Sequence, residues 1–340
     1  MWFAHGRLLT VLAWVALFIL PLVLSDWNAA LFAQYVTYGI FALSLALIWG
    51  GAGILSFGQA IFFGLGAYSM ALVTLGKLPL LGDSAWVGLL LALIIPTLAA
   101  AVLGWILFQG RALAGAQLGI VTLCAAFVAE IAARRWDFVG GFNGLFGIPP
   151  MTGLDGDILS GFATSYVVLG AALLSYLIAL AVLRSPLGTV LAAIRNNETR
   201  TAHFGYDVRL YKIFVFALSG ALAGLAGAVF ALQFGFVSPT LIGFGLSTEA
   251  LIWVAVGGRG VLMAAFLGAL IVRSSESVLS SALDQYWLLA LGIVFVATVV
   301  FAPQGLLGNV LRLPSPRRFA TPKKIEEKSR SVGQVEPDAK

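Results

Sequence analysis

The chain has 340 residues, of which 60% are hydrophobic and only 10% are charged, and its mean hydropathy is +0.99. Soluble domains carry about 25% charged residues, so this composition excludes a soluble enzyme and indicates a protein solvated mostly by lipid. The net charge of +5 does not point to nucleic acid, because the basic residues lie in loops and near the C-terminus. The single cysteine, Cys124, and two histidines offer neither a disulfide framework nor a metal site.

The apolar segments predict an all-α, polytopic membrane protein with about ten transmembrane helices, since a span needs about 20 mostly apolar residues. Two shorter segments, 58–75 and 244–257, adjoin glycine clusters and are counted as spans. The first apolar segment exceeds an ordinary signal sequence, and we expect it to be retained. The eight clear segments are 8–24, 31–49, 86–108, 113–133, 164–183, 212–234, 261–278 and 287–303.

The distribution of lysine and arginine predicts the topology. With ten spans, both termini and the loop 184–212 lie on one side with 16 of the 20 basic residues. By the positive-inside rule, that side is cytoplasmic. Residues 1–311 are therefore predicted to form the transmembrane domain, and 312–340 a basic cytoplasmic tail too polar to need a fold. The four remaining basic residues are Lys77, Arg134, Arg135 and Arg273.

The loop 184–212 carries a predicted helix. Ser185-Pro186 suits an N-cap and first helical position, and Gly205 suits a terminator. An apolar stripe at helical spacing is followed by a polar cluster. The segment is either an interfacial helix on the membrane or a docking element for a cytoplasmic partner, and its length and charge favour docking. The stripe is Leu187, Val190, Leu191 and Ile194, and the cluster includes Arg195, Asn196, Asn197, Glu198 and Arg200.

Polar residues within apolar segments are candidates for the pathway or a gate, because a charge in the membrane is costly. Glu130 either pairs with Arg134 one turn later or faces the pathway. Glu249, early in the segment 244–257, either benefits from a helix N-terminus or serves a gate. Gln59 either lines the pathway or hydrogen-bonds a neighbouring helix. Arg273 and Glu276 are three residues apart and are expected to pair.

Several blocks resemble the second permease subunit of ABC importers for branched-chain amino acids and for urea or short amides. The resemblance covers nearly all of residues 31–308. Its motifs are LIWGGAGILSFGQAIFFGLGAY at 47–68, the stretch 122–131, the loop GGFNGLFG at 140–147, AAIRNNETRTAHFGYDVRLYK at 192–212, and 252–260 followed by 302–308. The resemblance adds Asn143 of the outer loop to the pathway candidates. Phe142 stands where the family has a polar residue, so the resemblance leaves the substrate open.

The resemblance implies a type II-like permease in a bacterial inner membrane. It implies three kinds of partner besides lipid: a homologous second permease, two cytoplasmic ATP-binding subunits and an external solute-binding protein. The segment 192–212 would contact the ATPase. The sequence itself contains no P-loop, so any ATP hydrolysis is expected on another chain, and we expect no catalytic residues or cofactor. The alternative interpretation is a self-sufficient secondary transporter or channel for a small polar solute.

Overall fold

The computed structural model describes residues 2–79, 82–109, 115–152 and 157–283, and beyond these residues 286, 289, 292, 293, 296, 305–308 and 311. The predicted tail, 312–340, lies outside the described residues, as does almost all of the predicted last span, 287–303.

The described chain is almost entirely helical, as predicted. A π-helical turn, Leu47–Ala52, continues α2, and two short antiparallel strands, β1 Leu145–Phe146 and β2 Phe236–Val237, pair between distant loops. The helices are α1 Trp2–Val23, α2 Asp26–Ala46, α3 Gln59–Thr74, α4 Ala85–Phe108, α5 Ala116–Arg135, α6 Gly161–Arg184, α7 Pro186–Asn196, α8 Glu198–His203, α9 Val208–Phe234, α10 Phe244–Gly257 and α11 Leu262–Leu283.

Serine side chains fix where two of the long helices begin. Ser25 and Ser160 are the N-caps of α2 and α6, and each accepts a hydrogen bond from the backbone N–H three residues later. Such a cap satisfies one of the first four N–H groups of a helix, which have no intrahelical partner. The helices therefore start a few residues before the apolar runs that predict them.

Five helices in the described chain are long and apolar enough to cross a membrane: α2 with its π-helical turn, α4, α5, α6 and α9. The pair α10 and α11 turns through 117° at its break and makes a sixth if it is one span. Two further apolar helices, Leu8–Val23 and Gln59–Thr74, are shorter. A helix is thus present at nine of the ten predicted segments, whereas the number of full crossings remains a prediction.

Two hydrogen bonds show that α2 and α9 run antiparallel through the centre of the bundle. Thr37 Oγ1 donates to Gln233 Oε1 over 3.2 Å, and seven residues further along α2, Ser44 O accepts from Ser219 Oγ over 2.7 Å. As the residue number rises along α2, the number of the contacting residue in α9 falls. The two helices share one long interface with opposite directions.

The helices that follow α2 and α9 repeat one arrangement in inverted orientation. α3 and α4 pack against α9, while α10 and α11 pack against α2. Trp253 of α10 contacts the Tyr38 ring of α2 at 5.3 Å between centroids. The units α2–α3–α4 and α9–α10–α11 thus form an inverted repeat, an arrangement common in transporters. The second helix of each unit, α3 or α10, is short.

Small residues allow the helices of this repeat to approach closely. A Cβ atom at Gly227 of α9 would overlap the carbonyl oxygen of Phe63 in α3, and one at Gly224 would overlap that of Ala92 in α4. On α11, a Cβ atom at Gly268 would crowd the backbone of Trp253 and Gly257. Within lipid such close packing, rather than apolar burial, drives helix association.

We predict that Gly227→Ala destabilises the protein, because its new methyl group meets backbone rather than a movable side chain. Overpacking of this kind costs about 1–3 kcal/mol. Thermal unfolding of the purified protein in detergent should show a lower midpoint. Gly170→Ala in α6 is the control, since a Cβ atom there meets nothing within 4 Å, and it should not lower the midpoint. Equal midpoints for both variants would contradict the close α3–α9 contact.

Candidate functional site

Gln59, the first residue of α3, lies at the point where the two inverted units meet. Its side chain is fully buried, and its Nε2 donates to Ser44 Oγ of α2 over 3.0 Å and to Ser219 Oγ of α9 over 2.7 Å. Among the described residues, Gln59 Oε1 has no hydrogen-bond partner. Of the two alternatives for Gln59, the structure therefore shows the hydrogen bonds to neighbouring helices.

Hydroxyl groups from other elements satisfy the N-terminal backbone of α3. Phe57 N–H donates to Thr122 Oγ1 of α5 over 3.1 Å, and Ala60 N–H donates to Ser247 Oγ of α10 over 2.9 Å. A helix start inside lipid needs such partners, because no water is there to replace them. Five helices, α2, α3, α5, α9 and α10, thus meet at one polar junction around Gln59.

The hydroxyl residues of this junction are not among the predicted site residues. One available signal was the repetition of Phe41-Ala42-Leu43-Ser44 as Phe216-Ala217-Leu218-Ser219, because its two serines bond each other and Gln59. A second was Thr122, which opens one of the motif blocks. Neither motif reveals which distant residue it contacts, since Gln59 and Ser219 are 160 positions apart and Phe57 and Thr122 are 65 positions apart.

A cluster of three charged side chains joins α10 to α11. Arg273 Nη1 lies 2.6 Å from Glu276 Oε2, the expected pair, and 3.5 Å from Glu249 Oε2. The Arg273 guanidinium also stacks on the Tyr38 ring of α2 at 4.1 Å and on the Trp253 ring at 5.7 Å. Glu249 is therefore not an isolated acid at a helix start but part of an ionic contact among three helices.

The cluster lies along α11, well away from the α10–α11 bend. Arg273 lies eleven residues beyond Leu262, the start of α11, which corresponds to about 16 Å along the helix. A charged group among apolar helices is expensive unless it is paired, and here one cation serves two carboxylates.

Glu130 lies near the end of α5, and the predicted pair with Arg134 is present. Arg134 Nη2 and Nε are 2.5 and 3.1 Å from Glu130 Oε1. The other carboxylate oxygen, Oε2, lies so close to Gly243, just before α10, that a Cβ atom there would overlap it. Asn143 is exposed in the loop beside this pair. Glu130 and Asn143 thus share one end of the bundle, while Gln59 is fully buried where α3 meets α2 and α9, and Glu249 contacts Arg273 of α11.

The predicted docking helix is present but divided in two at Asn197. Ser185 and Pro186 occupy the N-cap and first position of α7, and Gly205, with φ of +86°, follows α8. Asn197 ends α7 and caps α8, since its Oδ1 accepts from Arg200 N–H over 2.8 Å. An asparagine followed by Glu198 is a usual helix start, and this signal was available in the sequence.

Two of the five predicted docking residues turn inward. Arg195 Nη1 donates to Gly50 O in the π-helical turn, and Glu198 Oε2 lies 2.6 Å from Lys212 Nζ of α9, a side chain only 6% exposed. Asn196 and Arg200 are exposed, and Arg200 has no ion-pair partner among the described residues. Arg195 and Glu198 therefore hold α7 and α8 to the bundle, whereas Asn196 and Arg200 remain free to meet another chain.

The π-helical turn also contacts the break between α10 and α11. Arg259 lies over the Trp49 ring at 5.4 Å, and a Cβ atom at Gly50 would overlap the carbonyl oxygen of Arg259. One turn of six residues therefore touches α7 on one side and the α10–α11 bend on the other. We call the end of the bundle with Arg195, Lys212 and Arg259 the basic end.

Short, broken helices that meet inside a bundle and a charged element outside it are features of a multi-pass membrane permease. The chain belongs to the family described as "Branched-chain amino acid transport system / permease component", whose profile matches residues 29–299. Family membership confirms the resemblance found in the sequence. It also favours an ABC importer permease over a self-sufficient transporter.

Individual relatives agree with this family. The chain is 30% identical over 329 residues to the "High-affinity branched-chain amino acid transport system permease protein LivM" of Salmonella typhimurium, covering 90% of this chain and 74% of that protein. The protein of the same name from Escherichia coli is 31% identical over 330 residues, with the same coverage. The "D-allose transport system permease protein AlsC" of Escherichia coli is 27% identical, covering 70% and 78%. No solved structure matches the chain.

We predict that Glu249→Gln lowers substrate uptake and leaves subunit assembly intact. The substitution removes the charge that ties α10 to Arg273 of α11, while Arg273 keeps Glu276. A partly exposed ion pair of this kind contributes up to about 1 kcal/mol, so we expect roughly a fivefold loss of uptake in proteoliposomes.

The matched control is Glu276→Gln. It removes the same charge from within α11 and preserves the contact between α10 and α11, so its effect on uptake should be smaller. Normal uptake by the Glu249→Gln variant would return Glu249 to a purely structural role.

Proposed function

We propose that the chain is the pore-forming permease of an ABC importer for branched-chain or other hydrophobic amino acids. Residues 29–299 match the family, and two relatives with broad coverage are named for branched-chain amino acid transport. Urea or a short amide is the competing substrate class. Transport assays with leucine and urea distinguish the two.

The proposed assembly has the type II-like arrangement of about ten spans per permease. Its partners are a homologous second permease, two cytoplasmic ATP-binding subunits and an external solute-binding protein. Residues 1–311 form the membrane domain in a bacterial inner membrane, and 312–340 form a cytoplasmic tail. The charge distribution supports this division, because the tail carries many of the basic residues.

The basic end is the cytoplasmic end in this proposal, and residues 184–212 are the coupling element. The observation that carries the assignment is the hydrogen bond from Arg195 to Gly50 O, in the turn that precedes α3. The same turn touches the α10–α11 bend through Arg259. A displacement of α7 would therefore reach the start of α3 and the end of α10 through one connected segment.

ATP binding on the partner subunits would supply that displacement. The exposed side chains of Asn196 and Arg200 would contact the ATPase, while Asn197 keeps α7 and α8 at a fixed angle by capping α8. Arg195 and Glu198 would then transmit the movement into the membrane domain. Docking and transmission are thus assigned to different residues of one element.

We predict that Arg200→Glu and Arg195→Ala fail in different ways. Arg200→Glu should weaken co-purification with the ATPase subunits, because it reverses an exposed charge on the docking face. Arg195→Ala should co-purify normally but hydrolyse ATP with little leucine uptake, because it loses the charge-assisted bond to Gly50 O. Such a bond contributes about 1.5–3 kcal/mol, so we expect at least a tenfold loss of uptake per ATP hydrolysed.

The control for these variants is Arg135→Glu, an exposed charge reversal at the end of α5 and outside residues 184–212. It should change association less than Arg200→Glu does. The assay uses the complete complex in proteoliposomes with its solute-binding protein. Normal association by Arg200→Glu, together with normal coupling by Arg195→Ala, would refute the coupling assignment.

We predict that residues 199 and 321 are cytoplasmic. Single cysteines placed at Thr199 and Thr321 in a Cys124→Ala background should react with a membrane-impermeant maleimide only after cells are permeabilised. Labelling of either position from outside intact spheroplasts would overturn the topology. The assay does not require transport, so it tests orientation alone.

A further inference from the structure

An ion pair, an exposed aromatic ring and a helix start lie together at the end of the bundle opposite the basic end. Arg134 and Glu130 are both partly accessible, with side-chain exposures of 36% and 16%. Both hydrogen bonds from Arg134 go to Glu130 Oε1. Among the described residues, no hydrogen bond engages Glu130 Oε2, which faces Gly243 at the start of α10.

The ring of Phe142 lies over Arg134 of this pair. It lies 5.3 Å from the Arg134 guanidinium, measured to the ring centroid, and its side chain is 73% exposed. A large apolar side chain is left uncovered here, although Gly141 and Leu145 of the same loop are buried. Cation–π contact with the guanidinium fixes its position but buries little of it.

The backbone of the loop that carries Phe142 is closely packed at its glycines. Gly140 and Gly144 have φ of +90° and +81°, and a Cβ atom at either would overlap a carbonyl oxygen, of Gly144 or Val237 respectively. The strand pair β1–β2 follows directly and ties the loop to the segment between α9 and α10. The backbone that carries Phe142 is therefore packed against the protein on both sides of this residue, and a fixed backbone lowers the entropy cost of binding.

These groups complement a zwitterion with an apolar side chain. An ammonium group can donate to Glu130 Oε2, a carboxylate can accept from Arg134, and an apolar side chain can cover the Phe142 ring. The pair has no net charge, so it selects for a molecule that carries both signs. Urea has neither charge, and glycine has no side chain to cover the ring.

We propose that Glu130, Arg134 and Phe142 form an entry site for amino acids with apolar side chains, in which Phe142 determines specificity. The site rests on the proposed function, because it requires this end to be external and the substrate to be an amino acid. It lies next to Gly243, so an occupied site contacts the start of α10, the short helix whose Ser247 bonds α3.

The test is protection of a cysteine beside the site in the complete complex, reconstituted in nanodiscs without solute-binding protein. Asn143→Cys in a Cys124→Ala background provides the exposed thiol, and the labelling rate with an impermeant maleimide is the readout. Millimolar L-leucine should slow labelling at least threefold, glycine should slow it less, and urea should leave it unchanged.

Variants at Phe142 separate direct contact from a remote effect. Phe142→Gln should abolish protection by leucine, whereas Phe142→Tyr, which keeps the ring, should retain it. Both replace an exposed side chain, and co-purification with the ATPase subunits confirms that each variant assembles. Protection that survives in Phe142→Gln, or that is absent in the parent, overturns the entry site.

The same experiment distinguishes this failure from failure of the proposed function. Labelling of Asn143→Cys from outside intact spheroplasts, with coupled leucine uptake but no protection, would refute the entry site alone. If the thiol reacts only after permeabilisation, the topology fails, and the entry site fails with it.

Discussion

The buried hydroxyl of Ser219 holds the two inverted units together at their centre, because it accepts a hydrogen bond from Gln59 Nε2 and donates one to Ser44 O. The importance of these two bonds comes from the solvent, because lipid supplies no partner for a buried donor and every polar group must be satisfied within the protein. The break before α3 exposes backbone N–H groups at this depth. Ser44, Ser219, Thr122 and Ser247 satisfy the N–H groups of the amide and of the backbone. The N–H groups at the start of α3 need hydrogen-bond acceptors, and these acceptors lie on four other helices, α2, α5, α9 and α10.

The break that creates this requirement also connects it to the basic end. The π-helical turn Leu47–Ala52 leaves Gly50 O available to Arg195 and places Trp49 against Arg259. A regular helix would hold that carbonyl within its own ladder and present no groove for the α10–α11 bend. The irregular backbone is tolerated because it is covered by α7, by α9 and by the α10–α11 bend rather than by lipid. The residues that interrupt the regular helix, Leu47–Ala52, are thus the same residues that connect α7 to the α10–α11 bend.

The sequence predicts the helices well, because an apolar run identifies a membrane-spanning helix whichever helices pack against it. It also predicts local pairs such as Arg273 with Glu276 and Glu130 with Arg134, since helical spacing alone brings these together. It does not predict that Glu249 reaches Arg273 or that Glu198 reaches Lys212. Those contacts depend on how α10 bends against α11 and how α8 turns at Asn197. The close helix contacts at Gly227 and Gly268 determine these helix positions. In the sequence, a small residue shows where a helix can pack closely, but it does not show which helix packs there.

The two polar sites differ in strength, and this difference indicates which helices can move. The α2, α10 and α11 contact uses a cation with two carboxylates and two aromatic rings, and its hydrogen bond between charged groups contributes about 1.5–3 kcal/mol. The start of α3 is held by neutral hydroxyls, each contributing about 0.5–1.5 kcal/mol. Water entering an opening pathway can replace a hydroxyl at little cost, but it replaces a paired arginine poorly. The α2–α10–α11 group is therefore the stiff part of the bundle, and the contacts of α3 with Thr122 of α5 are the ones most easily exchanged.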